Sequence, residues 1–178
     1  MSSKKTKLKQ KPFLILIDGP MGAGKTTMAK ILHTKLKRTA YLGLDRIKWY
    51  ISDFKRIPRD NDISRNVLLA MIKEYLKQDI NVLLDQSMKK DEIEILKELS
   101  KKYNAKCFIY QLDAPRKLLQ KRVEERTRLL NKPKISKTQI ERNYRIHLNN
   151  KYFHTTIFNS EKLSPEHIVK LILKEVKN

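Results

Sequence analysis

Three of the four glycines of this chain lie within the six residues Gly19–Gly24, and the stretch Gly19-Pro-Met-Gly-Ala-Gly24-Lys25-Thr26 fits the pattern G-x-x-x-x-G-K-[ST]. The apolar run Phe13–Ile17, closed by Asp18, precedes it directly. Met28, Leu32 and Leu36 recur behind it at helical spacing. A short, wholly apolar strand must be covered on both faces, which points to a parallel sheet flanked by helices. A glycine turn between such a strand and a helix lets successive backbone N–H groups converge on an anion, and the helix N-terminus adds positive potential. This pattern in this context is a phosphate loop. Lys25 is expected to reach the terminal phosphates, and the Thr26 hydroxyl to hold Mg2+. Gly19, Met21, Gly22, Ala23, Gly24, Lys25, Thr26 and Thr27 are the expected lining of the nucleotide phosphates.

The rest of the chain repeats the strand–helix alternation. The pattern predicts a helix over Gly24–Lys37, a strand over Thr39–Leu44 and a helical or irregular segment to about Phe54. A helix then runs from about Ile63 to Gln78, after Pro58 and Asp60-Asn61-Asp62 break the chain. Its expected inward face is Leu68, Ile72, Tyr75 and Leu76. Strands follow at Ile80–Asp85, Lys106–Leu112 and Thr155–Asn159. Helices follow at Asp91–Tyr103, from Pro115 to about Thr127, at Ser136–Lys151, and after Ser164-Pro165. Ile95, Leu96 and Leu99 are the expected buried side of the helix Asp91–Tyr103; Ile168, Leu171, Ile172 and Val176 that of the last. Five parallel strands between two helical layers make a three-layer α/β/α domain.

A chain of 178 residues with no shift in composition is expected to form one domain, residues 12–178, behind a basic tail over residues 1–11. Hydrophobic residues at 40% exclude a disordered polypeptide despite the charge. The longest unbroken apolar run, Val67–Ile72, is far too short to span a bilayer. The basic start resembles a leader, yet Phe13–Ile17 ends in Asp18-Gly19-Pro20 and not in a small-residue cleavage site. A cytoplasmic protein is expected, with no membrane and no obligate protein partner. The single cysteine, Cys107, excludes an intramolecular disulfide and a cysteine-cluster metal site. His33, His147, His154 and His167 lack metal-ligand spacing and are expected to be surface or half-buried histidines.

With 40 Lys+Arg against 19 Asp+Glu the formal net charge is +21, which favours polyanionic partners. A lysine-rich, Ile- and Asn-rich composition also arises from an AT-rich genome, so charge alone does not name the partner. Its distribution is more informative. Nine basic residues lie between Arg116 and Lys137, against Glu124 and Glu125 alone. Arg122 and Arg126 share a helix face, and with Arg128 and the loop Asn131–Lys134 they form a candidate lid over about residues 122–136. Cations there would meet the charge of a transferring phosphoryl group. Ion pairing of Arg122 with Glu125 is the competing reading.

Ligands of open α/β sheets bind at the carboxyl ends of the strands, and Asp18, Asp45, Asp85 and Asp113 stand at four of those ends. Asp85 closes the run Val82-Leu-Leu84, the form of a metal-positioning carboxylate, or else caps the next turn. Asp45 is placed to orient and deprotonate an acceptor hydroxyl, a role compatible with capping residues 46–53. Asp18 is expected to orient the loop, and Asp113 to cap the following helix. Trp49, Tyr50 and Phe54 are expected to be core or cleft wall, with base stacking the alternative.

With these pieces in this order, residues 11–176 resemble the small P-loop kinases of the polynucleotide-kinase, zeta-toxin and chloramphenicol-phosphotransferase type. The signature is Gly19–Thr27, Asp45, Val82–Asp85, Leu112-Asp-Ala-Pro115 leading to Arg122-x-x-x-Arg126, and Asn159–Pro165. The resemblance implies strand order 2-3-1-4-5, ATP and Mg2+ as cofactors, and phosphorylation of a hydroxyl with Asp45 as general base. It implies phosphate contact for Arg126, and phosphate contact or adenine stacking for Arg122. Polynucleotide kinases carry an acceptor-side arginine three residues after that Asp; here Lys48 stands there, with Arg46 beside Asp45, and lysine lacks the bidentate fork. The 5′-hydroxyl of RNA or DNA is the leading acceptor. A small-molecule hydroxyl, a nucleoside monophosphate, and a nucleic-acid-binding module with a regulatory ATP site are the alternatives.

Overall fold

The computed structural model describes residues 11–131, 135–150 and 156–177. Strand β1 (Phe13–Asp18) is buried along its whole length. Its side chains alternate between two cores. Phe13, Ile15 and Ile17 enter one with Met28 and Leu32 of α1 (Lys25–Lys35) and with Ile168, Val169 and Ile172 of α7 (Pro165–Val176). Leu14 and Leu16 enter the other with Leu68, Ile72 and Leu76 of α3 (Pro58–Lys77) and with Ile93 and Leu96 of α4 (Lys90–Lys102). Covering both faces is what an uninterrupted apolar strand requires.

The sheet has five parallel strands in the order β2-β3-β1-β4-β5, the order the resemblance implied. These are β2 (Thr39–Leu42), β3 (Asn81–Asp85), β4 (Lys106–Asp113) and β5 (Thr156–Asn159). In register, Ile17 sits beside Asp85, and Asp18 beside Gln111. The chain thus brings its strand-end polar residues to one edge of the sheet. The remaining helices are α2 (Leu44–Lys48), α5 (Arg116–Leu129) and α6 (Lys137–Asn150). Among the described residues no helix is long and apolar enough to cross a membrane.

Several expectations shift. Helix α3 begins at Pro58, five residues before Ile63, because proline suits the first helical turn, where its missing N–H has no partner to lose. Asp60 lies inside that turn and accepts from Lys55 N at 2.8 Å. On α4, Ile95 is exposed and Ile93 fills the core; on α7, Leu171 is exposed and Val169 buried. In each case one member of the stripe differs, and the residue two positions earlier fills the core. Strand β2 ends at Leu42, so the chain turns at Gly43 before Asp45. The expected basic tail, apart from Lys11, and Lys132–Lys134 of the lid lie outside the described residues, as does His154.

Leu14 is fully buried between β3 and β4. Leu14→Ala should lower the unfolding free energy by about 2–5 kcal/mol, the usual range for a core leucine. Urea denaturation checks this; a loss under about 1 kcal/mol would contradict the two-sided core.

Candidate active site

At the end of β1 the chain turns through Gly19, Gly22 and Gly24 with φ of +144°, +83° and +94°. Side chains other than glycine rarely adopt such angles. Packing tightens the requirement at two of them. A Cβ on Gly19 would stand 2.5 Å from the Leu112 carbonyl, and one on Gly22 2.6 Å from that of Leu119. Beside Gly24 there is open space, where an anion can approach the N-terminus of α1.

Surrounding elements hold the loop. Asp18 is buried and accepts from Gly19 N at 2.7 Å, the orienting role expected of it. Ser87 Oγ donates to Gly19 O at 2.6 Å. Asn143 of α6 accepts from Met21 N at 2.6 Å. Arg122 reaches Gly22 O at 3.5 Å and is itself held by Ser160, whose Oγ and carbonyl oxygen it approaches to 3.2 and 2.9 Å. Arg122 is therefore committed to the loop and the β5–α7 turn, and not to Glu125, whose carboxylate lies 4.0 Å from Lys121.

Lys25 Nζ folds back onto its own loop, donating to Gly19 O at 2.8 Å and Pro20 O at 3.0 Å. Desolvation of this ammonium pulls its pKa down to about 8. Asp18, Asp85 and Asp45 act in the opposite direction, and Arg126 reinforces the lowering. Residues from four separate segments thus share one electrostatic neighbourhood. Arg126 is exposed on α5, where Arg122, Glu125, Arg126, Leu129 and Leu130 line a shallow recess of about 290 Å3.

Asp45 and Asp85 differ sharply in exposure. The Asp45 side chain is 93% exposed, with Lys48 Nζ 3.4 Å away. It lies in the first turn of α2, whose N-cap is Gly43, so it does not cap the helix. Gln86 Oε1 accepts from Leu44 N at 3.0 Å and so ties α2 to the end of β3. Asp85, whose side chain is only 8% exposed, lies 3.9 Å from Arg46. The Arg46 guanidinium sits 4.0 Å from the Tyr41 ring centre and donates to Tyr41 O at 3.3 Å. Arg46 thus faces Asp85 and the Tyr41 end of β2.

Further corrections concern neighbouring residues. Trp49 and Tyr50 are 66% and 75% exposed, so neither is core; Trp49 meets Phe54 edge-on. Asp113 does not cap α5, whose N-cap Pro115 has no side-chain bond; its carboxylate accepts from Ala114 N instead. His147 is buried, not superficial, 3.4 Å from Asp113. Cys107 is a half-buried free thiol on β4.

The donors suit Mg2+ and a nucleotide. Thr26 stands exposed in the first turn of α1, and Asp85 closes the neighbouring strand. Among the described residues no group of three His, Cys, Asp or Glu could hold a metal. A hydroxyl and one carboxylate fit Mg2+, which completes its octahedron with phosphate oxygens and water.

Gln86, Ser87, Asn143 and Ser160 were not legible as site residues. Adjacency to Asp85 could have flagged the first two. Asn143 is 122 positions from its partner in a polar helix and gave no local signal.

The fold and the loop define a P-loop kinase-like α/β domain. Residues 14–145 match the family described as AAA domain, and the chain belongs to that family. No curated protein sequence matches it. Among solved structures it is similar to a chain of the Pnkp1/Rnl/Hen1 RNA repair complex, with TM-score 0.71, 20% identity, and coverage of 85% of this chain and 49% of that one. It is similar to shikimate kinase from Bacteroides thetaiotaomicron, with TM-score 0.66, 18% identity, and coverage of 93% and 99%. It is also similar to a tunicamycin resistance protein from Deinococcus radiodurans, with TM-score 0.65, 19% identity, and coverage of 93% and 95%. The chain thus spans about half the RNA-repair chain and nearly all of the other two. At these identities the likeness establishes the fold.

The depressed Lys25 pKa carries a pH signature. A bound phosphate stabilises the ammonium, so the pKa rises on binding. Nucleotide affinity should be level below about pH 8 and fall above it, with proton uptake on binding at pH 8.5. Calorimetry in two buffers of different ionisation enthalpy measures that uptake; an affinity unchanged between pH 7.5 and 9.5 would contradict the assignment.

Proposed function

We propose that this chain, over residues 12–178, is a cytoplasmic ATP-dependent phosphotransferase that moves the γ-phosphate of ATP to an acceptor hydroxyl, foremost the 5′-hydroxyl of RNA or DNA. The observation that carries the reading is the shared field of Lys25, Asp85, Arg126 and Asp45 at one end of the sheet. Asp45 stays solvent-facing beside Lys48, where an incoming hydroxyl can meet it.

In this mechanism the loop amides from Gly22 to Thr27 and Lys25 hold the phosphates, while the Met21 amide is held by Asn143. Mg2+, held by Thr26 and Asp85, supplies neutralisation of phosphate charge when bound. Asp45 accepts the proton of the acceptor hydroxyl as its oxygen attacks the γ-phosphorus in line. The bond from that phosphorus to the β–γ bridging oxygen breaks, and ADP departs with the electron pair. Arg126, on the lid of about residues 122–136, meets charge on the transferring group, and Arg122 anchors the lid helix to the loop.

For the acceptor, support comes from the +21 charge, the basic lid and the exposed Trp49 and Tyr50 beside Lys48. Aromatic faces and cations together suit a nucleobase and its phosphates. The RNA-repair likeness agrees with this. The shikimate kinase likeness supports the alternative of a small hydroxylated acceptor on the same fold.

The test is transfer of label from γ-labelled ATP to 5′-hydroxyl RNA and DNA oligonucleotides by the native chain and Asp45→Asn. Label should appear on the oligonucleotide and fall by about 10²–10⁴-fold in the variant, with ATP affinity retained. Oligonucleotide binding should weaken steeply with salt. Asp45-dependent ATP turnover without labelled polymer and with a flat salt response would move the acceptor to small hydroxylated metabolites. Oligonucleotide binding without turnover would mark a binding module.

A further inference from the structure

Helix α6 places a side chain on the phosphate loop that the mechanism above does not use. Asn143 Oδ1 accepts from Met21 N at 2.6 Å. Met21 is the third residue of the loop, on the limb leading from β1, and backbone N–H groups of such a loop are the ones phosphate oxygens engage. An N–H can only donate. The Asn143 carboxamide must therefore turn its oxygen to Met21, which leaves its NH2 group, a double donor, on its other side. That NH2 group has the polarity a phosphate oxygen requires, on a side chain already seated on the loop.

The helix that carries Asn143 is anchored around it. Ile140 and His147, one turn to either side, are both buried. The Gln111 carboxamide nitrogen donates to His147 Nδ1 at 2.6 Å, and Asp113 lies 3.4 Å from its Nε2. Glu141 pairs with Arg116 at the start of α5. These contacts tie α6 to the end of β4 and to α5. The backbone that carries Asn143 is thereby held beside the loop, since displacing α6 would require extracting a buried, hydrogen-bonded histidine.

We propose that Asn143 is a positioning residue of the terminal-phosphate site. Its oxygen fixes the Met21 amide, and its NH2 group donates to the terminal phosphate, so that the loop favours a nucleoside triphosphate over a diphosphate. This rests on the reading that the loop binds ATP, and is independent of the acceptor.

The test is calorimetric binding of Mg2+ with a non-hydrolysable ATP analogue, and with ADP, to the native chain, Asn143→Ala and Asn143→Asp. The aspartate is isosteric and keeps an acceptor for Met21 N, but exchanges the donor for negative charge. Alanine should weaken the triphosphate about 10- to 150-fold and the diphosphate less than about threefold, in line with one hydrogen bond to a charged group. Aspartate should cost the triphosphate more than alanine does, again sparing the diphosphate. A purely structural contact would weaken both nucleotides equally, and that result overturns the proposal. So do unchanged affinities, or a tighter triphosphate in Asn143→Ala, which would make Asn143 an occluding group. A thermal melt of each variant confirms folding, and the isosteric aspartate decides the question where alanine unfolds the chain. Failure of the native chain to bind either nucleotide would instead refute the phosphate-site reading, and the proposal with it.

Discussion

Everything at this site is placed relative to the end of β1, and β1 is placed by burial of both its faces. Its alternating side chains are shared between two cores, so neither a shift of one residue nor a rotation of the strand is tolerated. That rigidity delivers Gly19, Gly22 and Gly24 to fixed positions. It also sets Asp85 beside Ile17 and Gln111 beside Asp18 through the parallel register. The apolar strand supplies the position, and the polar strand ends supply the chemistry.

The loop itself is held by partners that serve opposite needs. Its outward carbonyls are engaged by Lys25, Ser87 and Arg122. Its amides are left for acceptors, with Asp18 taking one and Asn143 another. Desolvation weakens the Lys25 charge just where an anion would restore it. Asp18, Asp85 and Asp45 act against that lowering, so the ammonium sits among opposing influences. Exposure likewise separates Asp45 from Asp85. Asp85 is sheltered beneath Arg46, while Asp45 is open to solvent beside Lys48. Shelter suits a group that positions a cation, and exposure suits one that must meet an incoming hydroxyl.

Much of the fold was legible because strands buried on both faces leave long apolar signatures and the glycine loop tolerates few substitutes. Element type followed from these periodicities, and errors gathered at edges. The start of α3 was missed because Pro58 was read as a break, although a proline also opens helices. Ile95 and Leu171 were placed inside because a lysine- and leucine-rich helix offers two nearly equivalent stripes, between which only the neighbouring strands decide. Trp49 and Tyr50 were expected in core or cleft wall from hydrophobicity, which says nothing of whether a partner surface exists. His147 is more buried than the surface or half-buried position expected of it; its partners Gln111 and Asp113 are more than thirty residues away.

The sequence by itself determined the local chemistry of the loop. Only glycine accepts those backbone angles, and a lysine and a threonine at a helix start suit phosphate and a hard cation. It also determined the layered α/β class, since apolar period and helix period are local properties of the chain. The tertiary structure alone decided which side chains meet. It turned Arg46 toward Asp85, gave Arg122 to Ser160, and set Asn143 on Met21. Those pairings depend on strand order and helix docking, which arise from burial summed over the whole molecule, and no short window of residues encodes them.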